Sequence, residues 1–346
     1  MKKLLLLLPA IWTSLVFANS AAAQPLRDIV RRVDASVVVI RTVEKNVLPA
    51  PEAVFVSSPG LGSGVLVSAD GKILTAAHVV QAADKIEVEF VDGQVAPAKV
   101  IASVPRADVA MIQLDWIPSN ALPAKLGDSD KMQVGDDVFI IGAPYGIGHS
   151  LSVGHISARR LAKASFGGAI KLELLQTDAA INRGNSGGPM FNMAGEVVGV
   201  VSHILSQSGG FEGLGFAVTA NVAQKLLVAT KGFWSGIDGL LLSEDWIRVF
   251  NIPQPAGFLV QRIADNSPAA NIGLIGGSYK ATIAGADLLV GGDIILAVGG
   301  IAITPDSSSA LKIFDYLNKL NPGETVTVKV LRAGQITELT ARVPAK

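Results

Sequence analysis

The chain has 346 residues, 29 basic and 29 acidic side chains, and no cysteine. Zero formal charge gives no electrostatic reason to expect a nucleic acid or an anionic membrane surface as partner. A chain this long can bury an adequate core without disulfides, so it is indifferent to the thiol chemistry of its compartment.

The chain opens Met1-Lys2-Lys3, continues with a mostly apolar run from Leu4 to Ala18, and reaches Ala21-Ala22-Ala23-Gln24. A charged start, an apolar middle and a small-residue exit predict a secretory signal peptide over residues 1–23. The run is shorter than the ~20 residues of a typical spanning helix and contains Pro9, which argues against an uncleaved membrane anchor, the alternative reading. The mature length then suggests two domains. Helical spacing over Asp28 to Ala35 leads into a strand over Ser36 to Val43, and residues 46–60 read as a Pro- and Ser-containing loop. From Leu61 to about Gly215, short apolar runs are broken by Gly, Asp and Pro, as in Lys85–Phe90, Ala98–Ile101, Val109–Leu114, Asp137–Ile141, Lys171–Gln176 and Glu196–Val201. Short strands at regular spacing predict a sandwich or barrel. An amphipathic helix over Asn221 to Ala229 closes this part, before a turn at Lys231-Gly232. The remainder predicts strands at Gly236–Leu242, Gly257–Ile263, Asp293–Val298, Thr325–Leu331 and Ile336–Val343, with helices from Ser267 to Ile272 and from Ser308 to Leu320. That is a compact α+β module of roughly a hundred residues.

The chemistry concentrates at Gly184-Asn185-Ser186-Gly187-Gly188-Pro189. A serine hydroxyl is a poor nucleophile until a base takes its proton and donors hold the oxyanion that forms. Flanking glycines permit the tight turn that aims two N–H groups at one point. Upstream, His78 follows an apolar strand pair turned at Asp70-Gly71, and Asp108 heads the strand Val109–Leu114. Each alone reads as an ordinary core, surface or turn residue. In the order His, Asp, Ser, each beside small residues, they form one device: His78 takes the Ser186 proton, and Asp108 holds the tautomer and the imidazolium. That order matches the double β-barrel proteases and not the α/β hydrolases.

Six stretches resemble the HtrA/Deg serine proteases: Gly60 to Val67, Leu74 to Val80, Asp108 to Leu114, Gly142 to Gly146, Gln176 to Pro189 and Gly213 to Val218. The C-terminal module resembles a single PDZ domain of bacterial type. The resemblance implies a mostly β chain with a chymotrypsin-like double β-barrel protease domain over 24–231 and a smaller α+β PDZ domain over 232–346. It implies cofactor-free endoproteolysis without ATP, quality control of unfolded or misfolded exported proteins in the periplasm, and a homotrimer or larger assembly. Carried over by position, the catalytic residues are His78, Asp108 and Ser186, and the oxyanion hole is Gly184, Asn185 and Ser186, with N–H groups from the first and last. Asp178 organises activation loops and stands outside the trio. The specificity pocket falls on Ala180, Ile181, Gly215 and Phe216, with no acid at its floor, so a Lys or Arg side chain would enter unpaired. Cleavage after Val, Ala, Ile or similar residues is expected. Asn185 replaces the aspartate that captures a freed N-terminus in trypsin-like zymogens, and a neutral amide holds an ammonium weakly. Switching by loop ordering and ligand binding follows.

In the PDZ-like module, Trp234, Ser235, Gly236 and Ile237 occupy the place of the carboxylate-binding loop, with the groove between Ile237–Leu242 and the helix face Ala310, Ile313, Phe314. Residues 277–291 exceed a minimal PDZ loop. His149, His155 and His203 show no zinc spacing with a nearby acid, so no metal is expected. His203 reads as a solvent-facing strand residue. Two other readings stay open: an anchored, site-specific regulatory protease, and a chaperone or scaffold on a protease fold.

Overall fold

A computed structural model describes residues 25–48, 54–166, 170–229, 233–306 and 308–343. The predicted signal peptide and the predicted domain junction at 231–232 lie outside them. The first helix, α1 (Leu26–Val33), buries Ile29 and Val33 and leads through a single tight turn of helix into the first barrel. Six strands close on themselves there: β1 (Val37–Leu48), β2 (Val54–Leu66), β3 (Lys72–Thr75), β4 (Lys85–Glu89), β5 (Val95–Val104) and β6 (Val109–Leu114), in the order β1-β2-β3-β6-β5-β4. A single turn of helix, α2 (Ala77–Val80), follows β3. The second barrel holds β7 (Asp137–Gly142), β8 (Ser150–Phe166), β9 (Ile170–Thr177), β10 (Pro189–Asn192), β11 (Val197–Ile204) and β12 (Gly215–Thr219), closed as β10-β11-β12-β9-β8-β7. Barrel closure removes sheet edges, which suits a chain of short alternating strands.

Where the sequence predicts a loop at 46–60, β1 and β2 continue as a hairpin, with Glu44 opposite Ser58 and Leu48 opposite Val54. The Pro and Ser residues that suggest a loop are accommodated because each arm pairs mainly with the other, and Pro59 stands opposite Val43. The long β8 was likewise not predicted. The closing helix begins as α3 (Ala220–Gln224) and ends as a π-helical turn over Lys225–Ala229 that buries Leu226 and Leu227.

The C-terminal domain is a sheet of β13 (Ile237–Ser243), β14 (Ala256–Ile263), β17 (Ile294–Val298), β19 (Thr325–Arg332) and β20 (Gln335–Arg342), with the short β18 (Ile301–Ala302) beside β17. A separate hairpin, β15 (Tyr279–Ile283) and β16 (Ala286–Val290), forms the predicted insertion and lies against β1 of the first barrel. Helices α4 (Asp245–Val249), α5 (Pro268–Asn271) and α6 (Ser308–Lys319) complete it. Ser267 caps α5 by accepting from the Ala270 N–H, and Pro268 suits the first helical position.

Asp293 is fully buried in this domain, gripped by the Arg332 guanidinium through two bonds of 2.7 Å, while its Oδ2 also accepts the Ile275 N–H. A buried carboxylate is tolerable only while so paired. Replacing Arg332 by Leu is expected to destabilise the domain by about 3–5 kcal/mol, read as a lower denaturant midpoint in equilibrium unfolding. An unchanged midpoint would show that Asp293 needs no cation.

Candidate active site

Three loops between strands bring the site together. His78 lies in α2 just after β3, Asp108 precedes β6, and Ser186 sits between β9 and β10. The site therefore occupies the seam where one barrel faces the other. Asp108 adopts a left-handed conformation (φ 54°), which turns its carboxylate back toward α2. There its Oδ1 lies 2.8 Å and its Oδ2 3.0 Å from Nδ1 of His78, and Oδ1 also accepts the His78 backbone N–H at 3.1 Å. The contact at Nδ1 leaves Nε2 free to receive a proton.

The His78 side chain is half exposed, and the partial burial of its ring opposes a charge, but the hydrogen bond and charge of Asp108, aided by Glu44, outweigh it, and the imidazole pKa rises above its usual value. Burial would raise the Asp108 pKa. The His78 hydrogen bond and charge, with the Ser202 hydroxyl, win and keep it lowered. Glu44, on β1, has its own pKa raised by burial; Arg262 and His78 oppose the rise while Asp238 and Asp84 add to it.

Ser202, on β11, joins the serine to this pair. Its hydroxyl donates to Asp108 Oδ2, and its carbonyl accepts the Ser186 hydroxyl at 3.3 Å. In this resting arrangement no hydrogen bond joins Ser186 to His78 among the described residues.

The turn before Ser186 is held on several sides. Arg183 offers its carbonyl to the Tyr145 N–H at 2.8 Å, and the Asn185 carbonyl accepts the Gly188 N–H at 2.9 Å. A trans peptide points its N–H opposite to its carbonyl. The N–H groups of Gly184 and Ser186 are thus directed away from these contacts, and neither has an acceptor among the described residues. Ser63 braces the turn, donating its hydroxyl to the Gly184 carbonyl at 2.7 Å and accepting the Ala143 N–H at 2.9 Å. Gly184 has φ 106°, and a Cβ there would stand 2.1 Å from the Ala143 carbonyl oxygen. Asn185 is buried, with its side-chain N–H at 3.5 Å from the Ala180 carbonyl.

Of the residues expected to form the specificity pocket, Ala180 is exposed, while Ile181 is 3 % exposed and packs with Val198, Val201 and Ala217. Gly215 permits that packing, since a Cβ would lie 2.5 Å from Ile181 Cδ1. These surroundings are apolar. His203 is exposed, but it is not idle: its ring stacks on Phe216 at 5.0 Å and its Nδ1 lies 3.0 Å from the Ser202 hydroxyl. Partial burial of the ring lowers its pKa, opposed by Asp108 and reinforced by His78. Asp178 instead binds β8, accepting the His155 N–H at 2.6 Å. His149 pairs with Asp34 at 2.7 Å, tying the loop 146–150 to the chain ahead of β1. No cluster of three or more His, Asp or Glu suited to a metal occurs among the described residues.

Sequence reasoning missed Ser63, Tyr145 and Ser202. Each acts through a main-chain group or a small hydroxyl, which leaves no residue-type signature. Trp234 to Ile237, expected as a carboxylate-binding loop, lie against the first barrel, where the Trp234 indole N–H donates to the Gln81 carbonyl at 3.0 Å and Gln81 donates to the Ile237 carbonyl at 2.9 Å. Where the sequence places a groove, a cleft of about 450 Å³ is lined by Ile237, Leu241, Ala310, Ile313 and Phe314 together with barrel residues.

A trypsin-like peptidase domain model matches residues 62–200 and a PDZ domain model matches residues 214–343. The structure gives Gly215–Thr219 to the second barrel, ahead of the PDZ sheet. The chain thus combines a trypsin-like serine endopeptidase domain with one PDZ domain. More narrowly, it resembles the HtrA/Deg serine proteases, as its relatives and structural neighbours are so named. A probable periplasmic serine endoprotease DegP-like protein of Pseudomonas putida is 40% identical over 250 residues, which cover 70% of this chain and 51% of that protein. One from Halomonas elongata is 37% identical over 292 residues, 82% of this chain and 56% of that one. The chain spans about half the length of these curated relatives. It is also similar to the solved HtrA-type protease AlgW with tripeptide, at a TM-score of 0.52 and 29% identity, covering 93% of this chain and 98% of that one.

Gly184→Ala is expected to lower kcat/KM by about 10²–10³-fold while the far-ultraviolet spectrum is kept, because only the oxyanion turn has to shift. Full retention of kcat/KM would show that this turn plays no part in the reaction.

Proposed function

We propose that the chain is an exported, ATP-independent serine endoprotease, with residues 1–23 removed, a protease domain over 24–231 and a PDZ domain over 232–346. It cleaves unfolded or damaged polypeptides after small or medium apolar residues, and its PDZ groove takes peptide C-termini. The observation that carries this reading is the linked set His78–Asp108–Ser202–Ser186 beside two N–H groups without acceptors among the described residues. A rotation about the Ser186 Cα–Cβ bond exchanges its bond to the Ser202 carbonyl for one to His78 Nε2. His78 then takes the hydroxyl proton as Oγ attacks the scissile carbonyl. The Gly184 and Ser186 N–H groups hold the oxyanion, Asp108 holds the imidazolium, and His78 returns the proton to the leaving amine. Water repeats the sequence on the acyl-enzyme.

Homotrimers or larger homo-oligomers fit the exposed apolar side chains of Phe55, Tyr145 and Ile147 on the hairpin arm and the oxyanion-side loop. Relatives named periplasmic support the same compartment here. Contacts between the PDZ loop and the barrel that bears His78 favour a second reading, a regulatory protease restricted to few substrates.

Ser186→Ala is expected to abolish fluorophosphonate labelling and to cut the rate on denatured casein by about 10⁴–10⁶-fold; labelling that persists in the variant would remove Ser186 as nucleophile. His78 must be neutral to act as base. With its pKa raised, kcat/KM is expected to rise with pH through a midpoint above 6.5, and in Asp108→Asn the midpoint is expected to fall, because the anion that favours the imidazolium is gone. A wild-type midpoint below 6.5 would contradict the assignment. In a peptide library, cleavage is expected after Val, Ala or Ile, and a preference for Lys or Arg would refute the apolar pocket.

A further inference from the structure

The PDZ groove already holds a protein amide at its innermost position. In the sheet order β13 is the terminal strand, so one of its edges is open. The Gly236 carbonyl accepts the Ala264 N–H on the β14 side at 2.8 Å. Successive residues of a strand turn their polar groups to opposite edges, so the Ile237 carbonyl faces the open edge. It is the first acceptor that a chain added to β13 would reach, immediately beyond the loop whose N–H groups receive a carboxylate. The side-chain amide of Gln81 occupies it, at 2.9 Å from Nε2 to the Ile237 oxygen, with the Ser235 hydroxyl 3.4 Å from the same nitrogen.

Gln81 is fixed in this pose. It is 6 % exposed, its Oε1 accepts the Ser103 hydroxyl at 2.6 Å, and its main-chain carbonyl accepts the Trp234 indole N–H. Ser103, Val104 and Arg106 line the same cleft of about 450 Å³, so the first barrel supplies one wall of the groove. The opposite wall and floor are apolar, from Leu241, Phe258, Ile313 and Leu317.

We propose that Gln81 is a built-in competitor of the PDZ ligand: its side-chain amide stands in for the last peptide N–H of a bound C-terminus, and a polypeptide with a free carboxylate and an apolar final residue must displace it to bind. The proposal rests on the reading of Trp234 to Ile237 as a carboxylate-binding loop. Gln81 closes α2, whose second residue is His78, and Pro105-Arg106 precede Asp108. The displaced contact therefore adjoins two members of the catalytic trio.

The test uses the full chain carrying Ser186→Ala, a fluorescein-labelled decapeptide ending in free valine, and the same peptide amidated at its C-terminus, with binding followed by fluorescence anisotropy. Gln81→Ala and Gln81→Leu are each expected to bind the free acid about three- to tenfold more tightly than the unaltered chain, since a competing hydrogen bond has been removed. Ser103→Ala, which frees the Gln81 amide to turn, is expected to move the affinity in the same direction and carries the test if the Gln81 variants fail to fold. Equal affinity for the free acid in every folded variant overturns the competitor role and leaves the carboxylate loop standing. Equal binding of the free and amidated peptides, or no binding of either, overturns the carboxylate-loop reading and the competitor role with it.

Discussion

The Asp108 carboxylate is the contact on which the two barrels agree. It accepts from the His78 ring and main chain on one side and from the Ser202 hydroxyl of the second barrel on the other. Burial alone would push such a carboxylate toward the neutral form, and its donors reverse this. The Asp108 charge raises the basicity of His78, and the Ser202 hydroxyl of the second barrel adds to the donors that offset its burial. Ser202 then passes the constraint on, since its carbonyl holds the serine hydroxyl in waiting.

Much of this was legible in the chain. His78, Asp108 and Ser186 are unusual residues at the ends of apolar strands, and their order along the chain carries topological meaning. Gly184 was legible because glycines on both sides of a serine permit the tight turn that aims two N–H groups at one point. Tyr145 and Ser63 were not legible, since one contributes a main-chain N–H and the other a hydroxyl that any small polar residue might offer. The extended arms of β1 and β2 were hidden for a different reason. Their stability comes from pairing with each other, so neither arm shows the alternation expected where a barrel core selects one face.

His203 shows where reasoning from exposure alone fails. Its side chain is open to solvent, yet it stacks on Phe216 and shares the Ser202 hydroxyl. Strand alternation gives the side of the sheet a residue faces but not the neighbours it finds there. The hairpin of residues 279–290 makes the same point on a larger scale. Its length was visible as an insertion, whereas its placement against β1 depends on how the PDZ sheet docks. Lys45 of β1 adds to that docking by meeting both carboxylate oxygens of Asp265 at 2.6 Å.

The apolar interior does not stop at the domain junction. Leu226 and Leu227 belong to one cluster with Val37, Val65, Phe139 and Phe191, and Leu311 and Phe314 of α6 pack against that cluster. Unfolding of the C-terminal domain would strip apolar cover from the barrels, and a protease domain cut free at the linker would be greasier and quicker to aggregate than its own barrels suggest.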